Sequence, residues 1–447
     1  MPIRIHLNFC KNSTIKETNI SNLAAGYFSF LAGIAISLFI PIASANSSRC
    51  AEHFPTASKI VKLGMSTALS GPIQYLGLAM SQGVQQKIAE ANCDIFWRSQ
   101  GIQFELTILD DSYNPEVAAA NTKTLIDKHK AIAIIGNVGT PTAEKSWKIA
   151  NDNRVIFYGA YTGSNMLRLI PPAPYVFNYR PSYDQEMEAI ARDIVKQGVS
   201  INSIGVFLQN DAFGNSGLAS LRNALKNICN NCRNSILQMR YERNSLKITT
   251  ALKTFIAADI KPKVVILVAA ITPTAEFIRF AQRIAPATRF YSLSFTGATS
   301  LRRKLYGSTS NLTLSQVVPD LQKLIDVQKN PDTNKNPELA KKTDSPKKVG
   351  STQKLEYENK PNIETKPDEA AENVVFQEGY METQLLLEAM RNITGEMTSE
   401  KLRTSLIELE QKLPGTPGDQ QMMNDVWLIS LHNNKQLGQG KVLYAEQ

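Results

Sequence analysis

The chain has 447 residues, 43% of them hydrophobic and 20% charged, an ordinary globular composition with room for two core-bearing domains. Its formal charge is +9. The lysines and arginines are scattered, with no basic stripe interleaved with aromatics, so the charge reads as a solvated surface and not as a nucleic-acid interface.

The first 45 residues read as an export signal. Arg4, Lys11 and Lys16 precede an apolar stretch from Leu23 to Ile42, and Ala43-Ser44-Ala45 offers a small-x-small cleavage site. Cleavage leaves Asn46 first. A stretch of about 20 apolar residues also spans a bilayer, so an uncleaved anchor is the competing reading. No second apolar span follows. Cys10 leaves with the signal, and Cys50, Cys93, Cys229 and Cys232 remain. Four cysteines in an oxidising compartment suggest two disulfides, with Cys50–Cys93 and Cys229–Cys232 the favoured pairing of three. Cys229-Asn-Asn-Cys232 alone could be a redox or metal motif, but no second CxxC and no nearby histidine accompanies it.

From Lys59 onward, strand and helix patterns alternate. Lys59–Met65 reads as a strand, Leu78–Ala91 as a helix, and Phe104–Leu109 as a strand ending in Asp110-Asp111. Asn114-Pro115-Glu116 opens a helix to His129: an N-cap, a proline at the first position and an acid in the first turn. Ala131–Ile135 is apolar throughout, as a strand covered on both faces should be. A loop over Gly136–Pro141, a helix to about Asn153 and a strand Val155–Tyr158 follow.

The rhythm resumes after Pro181, with helices Asp184–Gln197, Asn215–Asn227, Ile248–Ala258 and Pro273–Ile284. Between and after them lie strands Ile204–Leu208, Ile236–Tyr241, Val264–Ala269 and Phe290–Phe295. Repeated βα units imply parallel sheets with helices on both faces. The strands are too many for one compact sheet and divide near Asn178. The fold class is therefore α/β, with two similar Rossmann-like lobes. Residues 46–178 form the first part of lobe 1 and residues 179–318 form lobe 2. Residues 319–373 are rich in Lys, Asp, Glu, Asn, Pro and Thr, and read as a charged low-complexity insertion that cannot bury enough apolar surface to order itself. Helices Glu378–Asn392 and Ser399–Lys412 complete lobe 1 over residues 374–420, and strand Val426–Leu431 returns to lobe 2 within 421–447.

In open parallel sheets, ligands sit beyond the carboxyl ends of the strands, where loops meet helix N-termini. Those loops here are Ser66–Pro72, Asn137–Thr142, Ala160–Ser164, Gln209–Gly214 and Ala269–Thr272. Their hydroxyls, amides, glycines and aromatics suit a polar solute. Signatures of catalysis are thin: no HExxH, GxSxG or phosphate-binding glycine loop occurs. His6 leaves with the signal, and His53, His129 and His432 lie far apart. Asp110-Asp111 reads as a strand-end turn and not as an acid–base pair. Neither a catalytic set nor a metal site nor a cofactor is expected.

At these loops the chain resembles the type I periplasmic solute-binding proteins, which include the branched-chain amino-acid binding proteins of ABC transporters. The likeness spans roughly Lys59–Pro319 and Glu378 to the end. It is carried by Leu69-Ser70-Gly71-Pro72 with Gly77 and Gly83, by Asp110-Asp111 with Asn114-Pro115, and by Thr162-Gly163 with Leu167-Arg168. Val176-Phe177-Asn178-Tyr179-Arg180, Asp211-Ala212-Phe213-Gly214, Phe277-Ile278-Arg279 and Glu378-Gly379-Tyr380 extend it. The resemblance implies a monomeric periplasmic protein, not an enzyme, whose lobes are joined by a three-stranded hinge near Asn178, Pro319 and Gly418. A small-molecule ligand is held by Ser70, Thr140, Tyr161 and Thr162 on one lobe and by Asp211, Phe213 and Thr272 on the other. Thr140 matches the position that holds an amino-acid carboxylate. The acid that meets the ligand ammonium in amino-acid binders aligns with Ser294 or Thr296, and an aromatic of the second lobe aligns with Ile271-Thr272. Unless Asp211 or Glu378 supplies the missing counter-ion, an ordinary amino-acid ligand is thereby in doubt, while a carboxylate, an amide or a neutral polar solute fits. The implied partner is an ABC permease or, alternatively, a membrane sensor; an envelope enzyme or its regulator is the rival from another class.

Overall fold

The computed structural model describes residues 58–226, 228, 236–305, 311–318, 374–413, 418–431 and 441–445. Residues 1–45, read as an export signal, residues 319–373, read as an insertion, the expected crossover near Pro319, and Cys50, Cys229 and Cys232 lie outside them. Among the described residues no helix is long and apolar enough to cross a membrane.

Lobe 1 is a five-stranded sheet in the order β2-β1-β3-β4-β5. Its strands are β1 Lys59–Thr67, β2 Ile102–Asp110, β3 Ala133–Ile135, β4 Ile156–Tyr158 and β5 Val176–Phe177. Every pairing is parallel. The helices that return the chain between them are α1 Gln74–Cys93, the short α2 Ile95–Ser99, α3 Pro115–Asp127 and α4 Thr140–Asp152. Cys93, the last residue of α1, is disulfide-bonded.

Helix α1 starts at Gln74, four residues before the apolar run suggests. Its large buried apolar residues are Leu76, Met80, Val84 and Ile88, spaced by four, whereas Leu78 is 40% exposed. The start of α3 follows local chemistry as read: the Asn114 side chain accepts from the Glu116 and Val117 amides, and Pro115 needs no partner for its nitrogen.

Lobe 2 is a seven-stranded sheet in the order β12-β11-β10-β9-β8-β6-β7. These are β6 Ile204–Gln209, β7 Leu237–Tyr241, β8 Val264–Val268, β9 Arg289–Ser292, β10 Leu312–Gln316, β11 Trp427–Leu431 and β12 Lys441–Ala445. From β7 to β10 the sheet is parallel. The edge strands β11 and β12 run antiparallel, a departure from the all-parallel expectation. Around the sheet lie α5 Tyr183–Lys196, α6 Ala212–Lys226, α7 Thr249–Ala257, α8 Ile271–Ile284 and α9 Ala298–Lys304. Strand β8, Val-Val-Ile-Leu-Val, is wholly buried, which is why it lacks polar alternation. A capping box of Ser182 and Gln185 opens α5.

The sequence reading has no strand at β10. Leu312 and Leu314 face the core, and the alternating Thr313 and Ser315 are buried as well. Ser315 is satisfied by hydrogen bonds to Glu186 and to the Ser292 carbonyl, so a polar residue there does not mark solvent.

After β10 the chain returns to lobe 1 as α10 Val374–Arg391 and α11 Ser399–Glu410, then enters lobe 2 again as β11. Helix α10 packs on α1 so closely that a methyl group on Gly83 would stand 2.2 Å from the Phe376 carbonyl oxygen, and one on Gly379 2.5 Å from the Met80 carbonyl oxygen. The first and third crossovers run side by side, joined by a parallel bridge between Asn178 and Gln421. A single hydrophobic cluster runs from Leu63 and Met65 in lobe 1 through Tyr161, Tyr183, Phe213 and Phe295 to Val206 and Ile266 in lobe 2.

Candidate functional site

The carboxyl ends of both sheets meet between the lobes. On the lobe 1 side, β3 exits into Gly136–Gly139 and α4 begins at Thr140. Gly139 has φ 108°, and a Cβ there would lie 2.2 Å from the Tyr113 ring, so only glycine fits at this turn. The turn presents Thr140 Oγ1 2.8 Å from Thr162 Oγ1, which stands at the exit of β4. The Tyr183 hydroxyl, from the first residue of α5, lies 3.4 Å from both. This hydroxyl triangle is buried. It sits at the start of α4, a helix with no side-chain cap, so the partial positive charge there favours an anion.

Facing it from lobe 2 is the loop after β6. The Asp211 carboxylate caps α6 by accepting from the Phe213 amide at 3.0 Å, accepts from Gln209 Nε2 at 2.7 Å, and lies 3.5 Å from Arg243. Burial raises its pKa, against the pull of Gln209 and Arg243. Phe213 is fully buried. Its ring centroid is 5.8 Å from Tyr183 and 4.3 Å from Phe295, and Phe295 lies 5.5 Å from Tyr161. Four rings thus form one wall across the interlobe boundary.

Tyrosine hydroxyls bind the lobes together around this wall. Tyr161 donates to the Ser294 carbonyl at 3.1 Å. The Tyr75 hydroxyl donates to the Thr296 carbonyl at 3.4 Å and accepts from the Ile271 amide at 3.3 Å. The Tyr113 hydroxyl accepts from Gln209 Nε2 at 3.0 Å, and Ser216 donates to Ser164 at 2.9 Å.

On the crossover side the chemistry turns from neutral to charged. Arg180, just past the first crossover, is 1% exposed. Its Nε lies 3.1 Å from Glu378 Oε1 of α10, close enough for charge but outside hydrogen-bond geometry. Its Nη2 donates to Ser294 Oγ at 2.7 Å, and its guanidinium lies 4.1 Å above the Tyr161 ring. Glu186 of α5 accepts from the Ser294 amide at 2.8 Å, from its hydroxyl at 3.0 Å, and from Ser315. Burial pushes Glu378 up to about 7, with Arg180 pulling down and Glu186 pushing further up. Burial works against the charge of Arg180 too, yet Glu378 holds it above its ordinary value. One turn on, Glu382 is buried with neither carboxyl oxygen hydrogen-bonded, and burial raises its pKa far above the ordinary range. Its carboxyl lies under the backbone at Gly159, where a Cβ would meet it at 2.6 Å.

Of the residues named from sequence, Thr140, Tyr161, Thr162 and Phe213 come together in the buried boundary. Asp211 adjoins them as the cap of α6, and Thr272 is the half-buried second residue of α8. Ser70 lies on the rim, with its hydroxyl 2.6 Å from both Asp110 and Ser112. Asp110 and Asp111 each have their own donors. Asp110 accepts from Leu69, Ser70 and Ser112, and these bonds outweigh burial and lower its pKa. Asp111 accepts from Ser66 and the Tyr113 amide, but burial pushes it up to about 6. Among the described residues no group of three or more His, Cys, Asp or Glu could hold a metal ion. Tyr75, Tyr113, Tyr183, Phe295 and Arg180 are not in the sequence reading of the site, and Glu378 enters it only as an alternative counter-ion for a ligand ammonium. Tyr113 carried a signal, since it lies three residues past the exit of β2.

Comparison with known proteins agrees with this layout. The profile of a family described as "Periplasmic binding protein" matches residues 60–323, more than half of the chain. No curated protein matches. Among solved structures, a possible leucine/isoleucine/valine-binding protein from Rhodopirellula baltica SH 1 is 28% identical, with a TM-score of 0.71 over 88% of this chain and 98% of that one. A branched-chain amino acid ABC transporter protein from Thermus thermophilus with bound valine is 15% identical, with a TM-score of 0.66 over 87% and 96%. A solute binding protein from R. palustris in complex with benzoate is 16% identical, with a TM-score of 0.63 over 86% and 96%. With its two α/β lobes and most of its length matched, the chain belongs to the periplasmic binding protein family.

Proposed function

We propose that this protein is an extracytoplasmic solute-binding protein, without enzymatic activity, that captures a small polar ligand between its lobes and delivers it to an ABC-type permease. One observation carries the reading: strand exits of lobe 1 bring Thr140 and Thr162 against the Tyr183 hydroxyl at the uncapped start of α4, and Phe213, past the exit of β6 in lobe 2, packs on the Tyr183 ring. Thr140, Tyr161 and Thr162 hold the ligand from lobe 1, with Ser70 at the rim. Asp211, Phe213 and Thr272 complete the site on closure. The lobes rock about three crossovers near Asn178, Pro319 and Gly418. Lobe 1 comprises residues 46–178 and 374–420, lobe 2 residues 179–318 and 421–447, and 319–373 is an insertion. The segment 1–45 directs export and is cleaved after Ala45. Two disulfides, Cys50–Cys93 and Cys229–Cys232, brace the exported monomer. Membership of the family and the names of its solved relatives support the binding role.

The test is a thermal-shift panel of amino acids, amides, short carboxylates and nucleobases. A ligand at 100 times its Kd adds about 2.7 kcal/mol to the stability of the form it binds. At least one solute should raise Tm by several degrees, and Thr140→Val should weaken it by about 1–3 kcal/mol in a direct titration. A flat response across the panel, or a hit indifferent to Thr140→Val, rejects the site.

A further inference from the structure

Resting on that reading of the cleft, we infer that the ligand is a monocarboxylate with an apolar aryl body and no ammonium group. The observation behind it is the absence of any ionised acid left unengaged around the described cleft. On lobe 1, Asp110 accepts from Leu69, Ser70 and Ser112, and Asp111 from Ser66 and Tyr113. On lobe 2, Asp211 is taken up by the Phe213 amide, Gln209 and Arg243. Glu186 accepts three hydrogen bonds from Ser294 and Ser315, and Glu378 is paired with Arg180. Glu242, at the exit of β7, accepts from Asn210 at 2.8 Å. Glu382 has both oxygens unpartnered and Glu378 and Asp184 have one each, but Glu378 is held against Arg180, Asp184 accepts from Asn223, and the Glu382 carboxyl lies beneath the backbone at Gly159 and Gly136.

An ammonium group closed into this boundary has therefore no counter-ion, and a buried unpaired charge is strongly unfavourable. The aromatic wall does not rescue it. The Arg180 guanidinium already occupies a position 4.1 Å above the Tyr161 ring, and its charge repels a second cation. The same features favour a carboxylate, which gains the hydroxyls of Thr140, Thr162 and Tyr183 and the positive end of α4. Beyond the carboxylate lie the rings of Tyr183, Phe213 and Phe295, at centroid spacings of 5.8 and 4.3 Å. The rings meet at tilts of 46° and 44°, and an aryl body continues this wall.

The experiment titrates the full mature chain with two matched pairs that differ only by the ammonium group: 3-phenylpropanoate against phenylalanine, and 4-methylpentanoate against leucine. In each pair the acid without the amine should bind at least tenfold tighter, and 3-phenylpropanoate should bind tightest of the four. Phe213→Leu should weaken 3-phenylpropanoate more than 4-methylpentanoate; the melting temperature of the variant without ligand checks that it is folded. Phenylalanine or leucine binding as tightly as its deaminated partner overturns the inference, most directly if Glu382→Gln then abolishes the amino-acid binding. A neutral solute binding more tightly than all four overturns it as well, while leaving the two-lobed binder intact. No binding of any solute defeats the cleft reading itself, and the inference with it.

Discussion

Two buried regions join the lobes, and they are built from opposite materials. The aromatic wall of Tyr161, Phe295, Phe213 and Tyr183 is neutral, and the tyrosine and threonine hydroxyls around it have partners. The cluster beside the crossovers is ionic: one arginine faces Glu378, Glu186 and, nearby, Glu382. The wall gains from packing and loses little when one contact goes. The cluster gains from pairing and loses much, because each ion there is affordable only while its partner remains. The difference teaches a division of labour. Charge fixes how the crossover side is arranged, and the strand-exit side is left neutral.

The largest effect should come from breaking the ionic side. Arg180→Met leaves Glu378 without its counter-charge and should cost about 3–5 kcal/mol in urea unfolding. Adding Glu378→Leu should recover much of that loss. If the double variant is no more stable than the single, the pair is not the unit described here.

The next separation of the two regions is by pH. Glu378 and Asp111 are raised by burial from ordinary values of 4.5 and 3.8 to about 7 and about 6. A carboxyl raised on folding binds its proton more tightly in the native state. Its stabilising contribution is complete below the unfolded value and is lost as pH rises through the folded value. Tm should therefore fall between about pH 5 and pH 7. Asp111→Asn should remove the part of the fall that ends near pH 6, and Glu378→Gln the part that ends near pH 7. A Tm that rises over this interval contradicts the assignment. The neutral wall contributes nothing to this slope, since its tyrosine hydroxyls titrate far above it.

Smaller effects belong to the wall. Tyr161→Phe keeps the ring against Phe295 and deletes one hydrogen bond to the Ser294 carbonyl, for a loss of about 1 kcal/mol by the same unfolding measurement. A loss as large as that of Arg180→Met would erase the contrast between the regions. The smallest effect is outside both. Lys145 and Glu116 pair at 3.2 Å with side chains 49% and 76% exposed, and Lys145→Ala should change stability by less than about 0.5 kcal/mol.

The two regions were also unequally legible. The wall follows from a rule that needs only local pattern: parallel strands put ligand loops at their carboxyl ends, so Thr140, Thr162 and Phe213 can be named from the strands before them. Strands β6 and β8 were readable because burial on both faces leaves an uninterrupted apolar run. Strand β10 was not, since Thr313 and Ser315 look like surface residues until Glu186 and the Ser292 carbonyl are seen beside Ser315. The ionic side was unreadable for a different reason. Arg180 and Glu378 are nearly 200 residues apart, and nothing in either neighbourhood marks the other as its partner. Asp211 and Glu378, the alternative counter-ions for a ligand ammonium, show the same limit: nothing in the sequence around them reveals that the start of α6 and Arg180 already engage them.

The close crossing of α1 and α10, through Gly83 and Gly379, also sets the order in which the chain can fold. Strands β6 to β10 and helices α5 to α9 form an unbroken stretch, so the parallel part of lobe 2 can assemble from neighbouring segments. Lobe 1 cannot. Its α1 face stays bare until residues 374–391 have left the ribosome, some 280 residues after α1 itself. Closing so long a loop is entropically costly and slow compared with local assembly. The face of α1 is thus covered long after the rest of that helix has been made.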